Sequence, residues 1–314
     1  MKTTEMKTAP KFTPALDSLL MIYQGKSRDT FETNSYDKML IVATKRLSTH
    51  NIVHVSEIPY KDQVLTALTV FQLKDLLEKA GIRHHLVAYG TDIYRYLPGK
   101  RSDYPSDLHH RAIVVKKLKV IPVEFIFRGY LAGSLFDKFY SKGRPNPYGV
   151  LLEPGLQLMT QFPVPLFTPT EKSATDDPLD ATETITKYSG AFDLSLTVFK
   201  IARNHLNNLG LELVDSKFEV GFDAEGNLTV ADEIVTPDSS RFCDLLEIKI
   251  GQNPPWLDKQ IARDAAERIW GTGKKYPLEF SPEIVRKLSE TYLEIFRRIT
   301  GFSLQEFQQL NFEK

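Results

Sequence analysis

Residues 211–235, "LELVDSKFEVGFDAEGNLTVADEIV", read as two strands joined by a tight turn. The apolar-rich runs flank "DAEGN", a cluster of turn formers that closes a hairpin and leaves no room for a crossover helix. The same pattern recurs along the chain. "LLMIYQGKSRDTFET" (19–33) and "KMLIVATKRL" (38–47) read as strand, turn, strand, interrupted at Gly25 and at Asn34-Ser35, and "RAIVVKKLKVIPVEFIFRGY" (111–130) returns to β. Helices fall between these pairs. "VLTALTVFQLKDLLEKAG" (64–81) carries Val64, Leu68, Phe71, Leu76 and Leu77 at helical spacing and stops at Gly81, a second helix is expected near 183–209, and the chain after "GQNPPW" (251–256) is mostly helical. Paired strands with inserted helices imply an α+β fold with antiparallel sheets, not a doubly wound parallel sheet. The Pro- and Thr-rich stretch 151–179 reads as one long loop.

The bulk properties narrow the class of protein. With 314 residues, 42% of them hydrophobic, the chain can bury one large core or two to three smaller ones. Forty basic and forty acidic residues cancel, so no global field holds nucleic acid or an anionic membrane, and an anionic ligand needs a local cluster. The single cysteine, Cys243, cannot form an internal disulfide and has no nucleophile motif around it. The opening "MKTTEMKTAPKFTP" lacks the apolar core of a signal peptide, and no apolar run approaches bilayer length. A cytoplasmic location is therefore expected.

Five stretches can carry chemistry. Alternation along 215–222 puts Asp215, Lys217 and Glu219 on one strand face and Phe218, Val220 and Phe222, with Val214, on the other. The returning strand brings Asp232 and Glu233 toward the same sheet. Converging carboxylates repel unless a cation lies among them, and hard oxygen donors suit Mg²⁺ bound together with phosphate. The plain alternative is an exposed, salt-bridged strand face. In "VEFIFRGYLAGSLFDKFY" (123–140), Glu124, Ile126 and Arg128 share a face, Gly129 and Gly133 permit a tight turn, and Ser134 stands where a helix would begin. An Arg beside a Ser-capped helix start is a ready anion site, or an ordinary strand-turn-helix with a surface Arg. In "YQGKSRDTF" (23–31), Lys26 and Arg28 alternate along a strand that starts at a glycine, suited to a polyphosphate or simply a solvated edge; the Walker spacing is absent. "TPDSSRFC" (236–243) leads into Arg241, and "DKQIARD" (258–264) places Lys259 and Arg263 four apart, where they can clamp a carboxylate or phosphate. The histidine pairs 50/54, 84/85 and 109/110 match no metal motif and read as surface or loop residues.

In their order, "YQGKSRD", "VEFIFRGYLAGS", "LVDSKFEVGFD", "DEIVTPDSSRF" and "DKQIARD" resemble the phosphoribosylaminoimidazole-succinocarboxamide synthase (SAICAR synthetase) family, from about Tyr23 to Asp264. The resemblance implies an ATP-dependent ligase of purine biosynthesis that joins L-aspartate to the carboxylate of carboxyaminoimidazole ribonucleotide through an acyl phosphate. It implies a β-rich N-terminal domain over 1–118, an ATP-grasp-related central domain over 119–250 and a helical segment over 251–314. On the same ground, Lys217 and Arg128 are catalytic, Lys26, Arg28 and Lys217 bind ATP, and Glu219 and Asp232 hold Mg²⁺. Arg128, Ser134, Arg241, Lys259 and Arg263 bind the substrate. The length matches the family's longer form, which implies a monomer working on small molecules.

The chain departs from the family's pattern in one region. Typical members carry Asp where Lys45 and Asn51 stand, an aromatic at His50, and glycines at Tyr60 and Asp62. The loop "FTPTEKSATDDPLD" matches loosely, through Thr168-Pro169, Lys172 and Asp176-Asp177. Two further readings stay open at this point: a paralogue joining a different ribonucleotide or amine, and a catalytically silent nucleotide-binding partner.

Overall fold

The computed structural model of the chain describes residue 16 and residues 18–173 and 175–313. The opening stretch 1–14, where no signal peptide was read, lies outside them. The N-terminal alternating runs form β1 (Met21–Gln24), β2 (Arg28–Glu32), β3 (Lys38–Ala43), β4 (Arg46–Thr49) and β5 (Ile52–Glu57). Then come α1 (Lys61–Phe71), β6 (Leu86–Tyr89), the single turn α2 (Leu108–Arg111), β7 (Ala112–Lys116), β8 (Lys119–Val120) and β9 (Val123–Tyr130). The middle holds β10 (Gln161–Phe167), β11 (Thr170–Glu171), α3 (Ala181–Lys187), α4 (Ser189–Asn208), β12 (Leu211–Phe222), β13 (Leu228–Ala231) and β14 (Ser240–Asp244). Three helices follow: α5 (Gln260–Trp270), α6 (Pro282–Thr300) and α7 (Leu304–Asn311).

The chain makes two compact units. One draws on the chain up to Val70, on Leu86–Lys117 and on the stretch from Lys259 onward; the other on Phe71–His85 and Leu118–Asp258. In the first, an antiparallel sheet in the order β1-β2-β3-β7-β6 buries Phe31, Leu40, Val42, Ala88 and Val114 against Ile93, Leu97 and Leu108. A separate ribbon, β4-β5, turns at His50 and Asn51, whose φ values of 51° and 63° are those of a tight hairpin turn. The helices α5, α6 and α7 belong to this unit. Their ends follow local chemistry: Ser281 caps α6 ahead of Pro282, and Ser303 and Glu306 cap α7 reciprocally.

In the second unit, β10-β9-β12-β13 form the main path of an antiparallel sheet, with β8 and β14 also on β12 and β11 on β9. The long helix α4 packs on β12, and Phe127, Phe199 and Phe218 meet in the core between them. The expected hairpin is there, paired from Glu219↔Ala231 to Phe222↔Leu228. Among the described residues every ladder between the named strands is antiparallel, and a single parallel bridge, His84 with Val230, stands outside them; this is the α+β fold that the strand pairs imply.

Four local expectations fail, each for a physical reason. The stretch 151–179 is not one loop, because β10 and β11 pair with β9 within it. Pro163 and Pro165 mask β10 in the sequence, yet β10 is an edge strand with an irregular register, where missing N–H donors are tolerated. The helix near 183–209 is two helices, broken at Tyr188. Phe222 is 38% exposed at the strand end instead of packing with Phe218 and Val220. Lys26 sits in the turn between β1 and β2 and not on the strand with Arg28. Among the described residues, no helix is long and apolar enough to cross a membrane.

Candidate active site

The second unit's site is built on β12. Its register with β9 sets Asp215 opposite Arg128 and Lys217 opposite Ile126, and its register with β13 delivers Asp232 just past Ala231. The charged face is not a solvated one: Asp215 and Glu219 are 6% and 5% exposed. That burial rules out the plain reading of a salt-bridged surface strand, because ionised side chains leave water only when they are paired.

Two clusters occupy the face. In the first, the Lys217 Nζ lies 2.9 Å from Glu219 Oε1, 3.1 Å from Glu124 Oε1 and 3.8 Å from Asp232 Oδ2. Lys172 pairs with the other Glu219 oxygen, and Thr170 Oγ1 donates to Glu124 Oε2 at 2.8 Å. Burial works against the Lys217 ammonium, but Glu219, Glu124 and Asp232 outweigh it and hold its pKa well above the usual lysine value. Burial likewise pushes Glu219 up, and Lys217 and Lys172 overcome it to hold the carboxyl well below its usual range. Asp232 has φ of 63°, a conformation that aspartate tolerates better than most residues. Three carboxylates against two ammonium groups leave one negative charge, and the donors are all hard oxygens. Glu219 and Asp232 are therefore donors of the kind that Mg²⁺ takes.

In the second cluster, Asp215 Oδ2 accepts from Arg241 Nη1 at 2.7 Å and from Arg128 Nη1 at 3.0 Å. Arg128 also donates to Thr168 Oγ1 at 2.9 Å and to Ser134 Oγ at 3.4 Å. Burial disfavours the Arg241 cation, but Asp215 and then Asp258 overcome it and raise its pKa. Gly133 makes the close approach possible: its φ is +54°, and a Cβ there would stand 2.5 Å from Arg241 Nη2. Ser134 does not cap a helix as expected. It has helical backbone angles and makes no capping bond, and its hydroxyl receives the Arg128 guanidinium.

The remaining expected residues belong to the first unit. Lys26 Nζ donates to Asn51 Oδ1 at 2.5 Å, and Arg28 heads β2 opposite Ala43. The turn between them is braced by buried Arg46, which binds Asp29 and donates to the Gly25 carbonyl at 2.9 Å. Lys259 precedes α5 and its carbonyl accepts from the Arg263 N–H at 3.2 Å; the Arg263 guanidinium reaches Gln260 Oε1 at 3.2 Å. So Lys217, Glu219 and Asp232 are brought into one cluster and Arg128, Ser134 and Arg241 into another, while Lys26, Arg28, Lys259 and Arg263 lie in the other unit.

Sequence reasoning missed the partners that complete these clusters: Lys172 and Thr168, from a loosely patterned stretch, and Asp215, noted on the strand face but given no role. It also misjudged the histidines, since His54, His85 and His109 are buried. His54 uses both ring nitrogens, on Thr49 Oγ1 at 2.8 Å and the Leu278 N–H at 3.1 Å, and burial lowers its pKa to about 4. Cys243 is buried and free, and burial drives its thiol up to about 12, as expected of an inert cysteine.

The model of the family described as SAICAR synthetase matches residues 21–277 of this chain. The chain belongs to the SAICAR synthetase family. Relatives bearing the name phosphoribosylaminoimidazole-succinocarboxamide synthase include one from Syntrophobacter fumaroxidans, 34% identical over 91% of this chain and 95% of its own. Another, from Saccharomyces cerevisiae, is 33% identical over 91% and 96%. Among solved structures, a SAICAR synthase from Saccharomyces cerevisiae complexed with SAICAR superposes with a TM-score of 0.79 at 29% identity, covering 95% of this chain and 99% of that one. A SAICAR synthetase in complex with ADP shares the fold at 22% identity and a TM-score of 0.63. Nothing in these relatives favours a silent partner protein or a different ligation.

Three positions where the chain departs from the family's pattern, His50, Asn51 and Asp62, take up local partners. Asn51 takes up Lys26. Asp62 is buried, which raises its pKa, and Lys45 is the first of the cations that oppose the rise. His50 bonds Glu267 at 2.8 Å and meets the Trp270 ring edge-on.

Proposed function

We propose that this carbon–nitrogen ligase of purine biosynthesis joins L-aspartate to the carboxylate of carboxyaminoimidazole ribonucleotide at the expense of ATP, with the β12 face as its chemical centre. The observation that carries the reading is the part-buried Lys217 ammonium held among Glu219, Glu124 and Asp232. A carboxylate does not condense with an amine in neutral water, so it is first activated as an acyl phosphate. Phosphoryl transfer asks for charge neutralisation and alignment more than for a nucleophilic side chain. A site rich in Lys, Arg and carboxylate, without a Ser-His-Asp set, suits that demand.

Glu219 and Asp232 would hold Mg²⁺, which supplies neutralisation of phosphate charge. Lys217, kept protonated by its neighbours, would meet the nucleotide's phosphates; Lys26 and Arg28 are the first unit's own candidates for binding phosphate. Arg128 and Arg241, fixed on Asp215, would present two guanidinium groups to an anionic ribonucleotide, with Ser134 beside Arg128, and Lys259 and Arg263 are the first unit's candidates for binding substrate. The reading carries with it a monomer working in the cytoplasm.

The test is ADP release by the purified protein with Mg-ATP, carboxyaminoimidazole ribonucleotide and L-aspartate, each omitted in turn. Release should require all three and yield the succinocarboxamide. Glu219→Gln and Asp232→Asn should lower turnover by about two orders of magnitude or more while circular dichroism stays unchanged. Near-normal turnover in either variant would overturn the metal assignment, and sustained ADP release with no succinocarboxamide formed when all three are present would overturn the ligation.

A further inference from the structure

Outside the ligase site, the first unit gathers three metal-binding side chains from two distant parts of the chain. His109 and His110 stand on the single turn α2, and Glu313 follows α7. The carboxylate is carried there by a backbone clasp. The Phe312 carbonyl accepts from the Thr91 N–H at 2.8 Å, and Gly90, with φ of +57°, lies so close that a Cβ would stand 2.5 Å from Phe312 Cα. Glu313 Oε1 then lies 3.1 Å from His109 Nε2 and 2.7 Å from His110 Nε2. All three ligand atoms are within 4.8 Å of one another.

We propose that His109, His110 and Glu313 form a binding site for a divalent transition metal of the zinc class, distinct from the Mg²⁺ position on β12. Two imidazoles and a carboxylate are the donors such ions take, whereas Mg²⁺ and Ca²⁺ choose oxygen sets. Bonds of ~2.1 Å at the tetrahedral angle put donor atoms ~3.4 Å apart, so the carboxylate need withdraw from His110 by only ~0.7 Å. The His109 Nδ1 lies 3.3 Å from the Tyr94 hydroxyl, a partner able to fix the tautomer that leaves Nε2 for the metal. The site is open enough for a water ligand, the His110 and Glu313 side chains being 20% and 39% exposed. One group opposes occupancy. The Arg101 Nη2 lies 3.4 Å from His109 Nε2 and 3.6 Å from Glu313 Oε2, and at 53% exposure this side chain can swing into solvent when a cation arrives. Bound metal would staple the end of the chain to α2, tying the α7 side of the unit to its sheet.

The experiment is calorimetric titration of Zn²⁺ into the chelator-stripped full chain, with Co²⁺ absorption as a second readout. One equivalent should bind with a micromolar or tighter Kd. His110→Ala and Glu313→Gln, both at accessible positions, should weaken it about tenfold or more, with circular dichroism verifying the fold. Arg101→Gln should tighten it, an effect that a merely structural histidine–carboxylate bond would not produce. Absence of binding at about 100 µM Zn²⁺, one equivalent that survives both substitutions, or an Arg101 variant that binds no better would overturn the proposal.

Discussion

Replacing Asp215 with Asn changes almost no volume and removes one charge from between two buried guanidinium groups. Asp215 Oδ2 receives Arg241 at 2.7 Å and Arg128 at 3.0 Å, and the three side chains are 8%, 13% and 5% exposed. At an effective dielectric constant of about 20, each contact is worth about 6 kcal/mol of gross Coulomb attraction. Desolvation of the three ions cancels much of that sum, since each costs several kcal/mol to take out of water. The substitution leaves the desolvation of both arginines in place and removes their shared anion. The expected loss is therefore about 3–5 kcal/mol of stability, the range for a buried ion pair deprived of one partner. Urea unfolding followed by fluorescence should show the midpoint falling with little change in slope. The exposed pair Arg286–Glu290 on α6 serves as the comparison, and Glu290→Gln should leave the midpoint where it was. A loss below about 1 kcal/mol in Asp215→Asn would refute the reasoning, because it would mean that water or another anion already satisfies the arginines.

Gly133→Ala should raise the KM for the ribonucleotide and cost about 1–2 kcal/mol, since the left-handed backbone disfavours a side chain and the new Cβ displaces the Arg241 guanidinium; unchanged kinetics would dissociate Gly133 from the site. His54, with its pKa lowered to about 4, refuses a proton that the unfolded chain accepts near 6.5. Stability is thus complete above about pH 6.5 and declines as pH falls toward 4, by at most about 3 kcal/mol, and thermal melts of His54→Asn should lose that slope. Cys243 should resist iodoacetamide in the folded protein and react readily in urea, and fast labelling of the native chain would contradict its burial.

Strand identity was legible because period-two alternation and turn residues are local: the hairpin at 223–227 and the charged face of β12 could be read from eight residues. What alternation cannot give is the partner. Asp215, Lys217 and Glu219 declared a charged face, but only the register with β9 shows that Arg128 and not solvent meets Asp215. Lys172 escaped because a lysine in a Pro- and Thr-rich stretch has no periodicity, and the pairing of β10 and β11 with β9 that brings this stretch to β12 is itself concealed by Pro163 and Pro165. The Ser134 cap was a sound local inference that lost to a tertiary one, a guanidinium needing an acceptor. The histidine pair 109/110 could not be weighed from its own neighbourhood, since its carboxylate arrives from the far end of the chain.

The division of the chain between the two units sets the order in which a growing polypeptide can use it. The second unit is whole once Asp258 has been made, whereas the first starts with the earliest strands and still lacks α5, α6 and α7 at that moment. During synthesis the first unit must wait for these helices while the unit encoded in the middle of the message closes around its own core. Nascent chains stalled with residue 258 just clear of the ribosome should therefore present a protease-resistant centre preceded by a cleavable beginning. A nonsense mutation in α6 would cost the first unit its integrity and leave the second unit, with its β12 centre, complete.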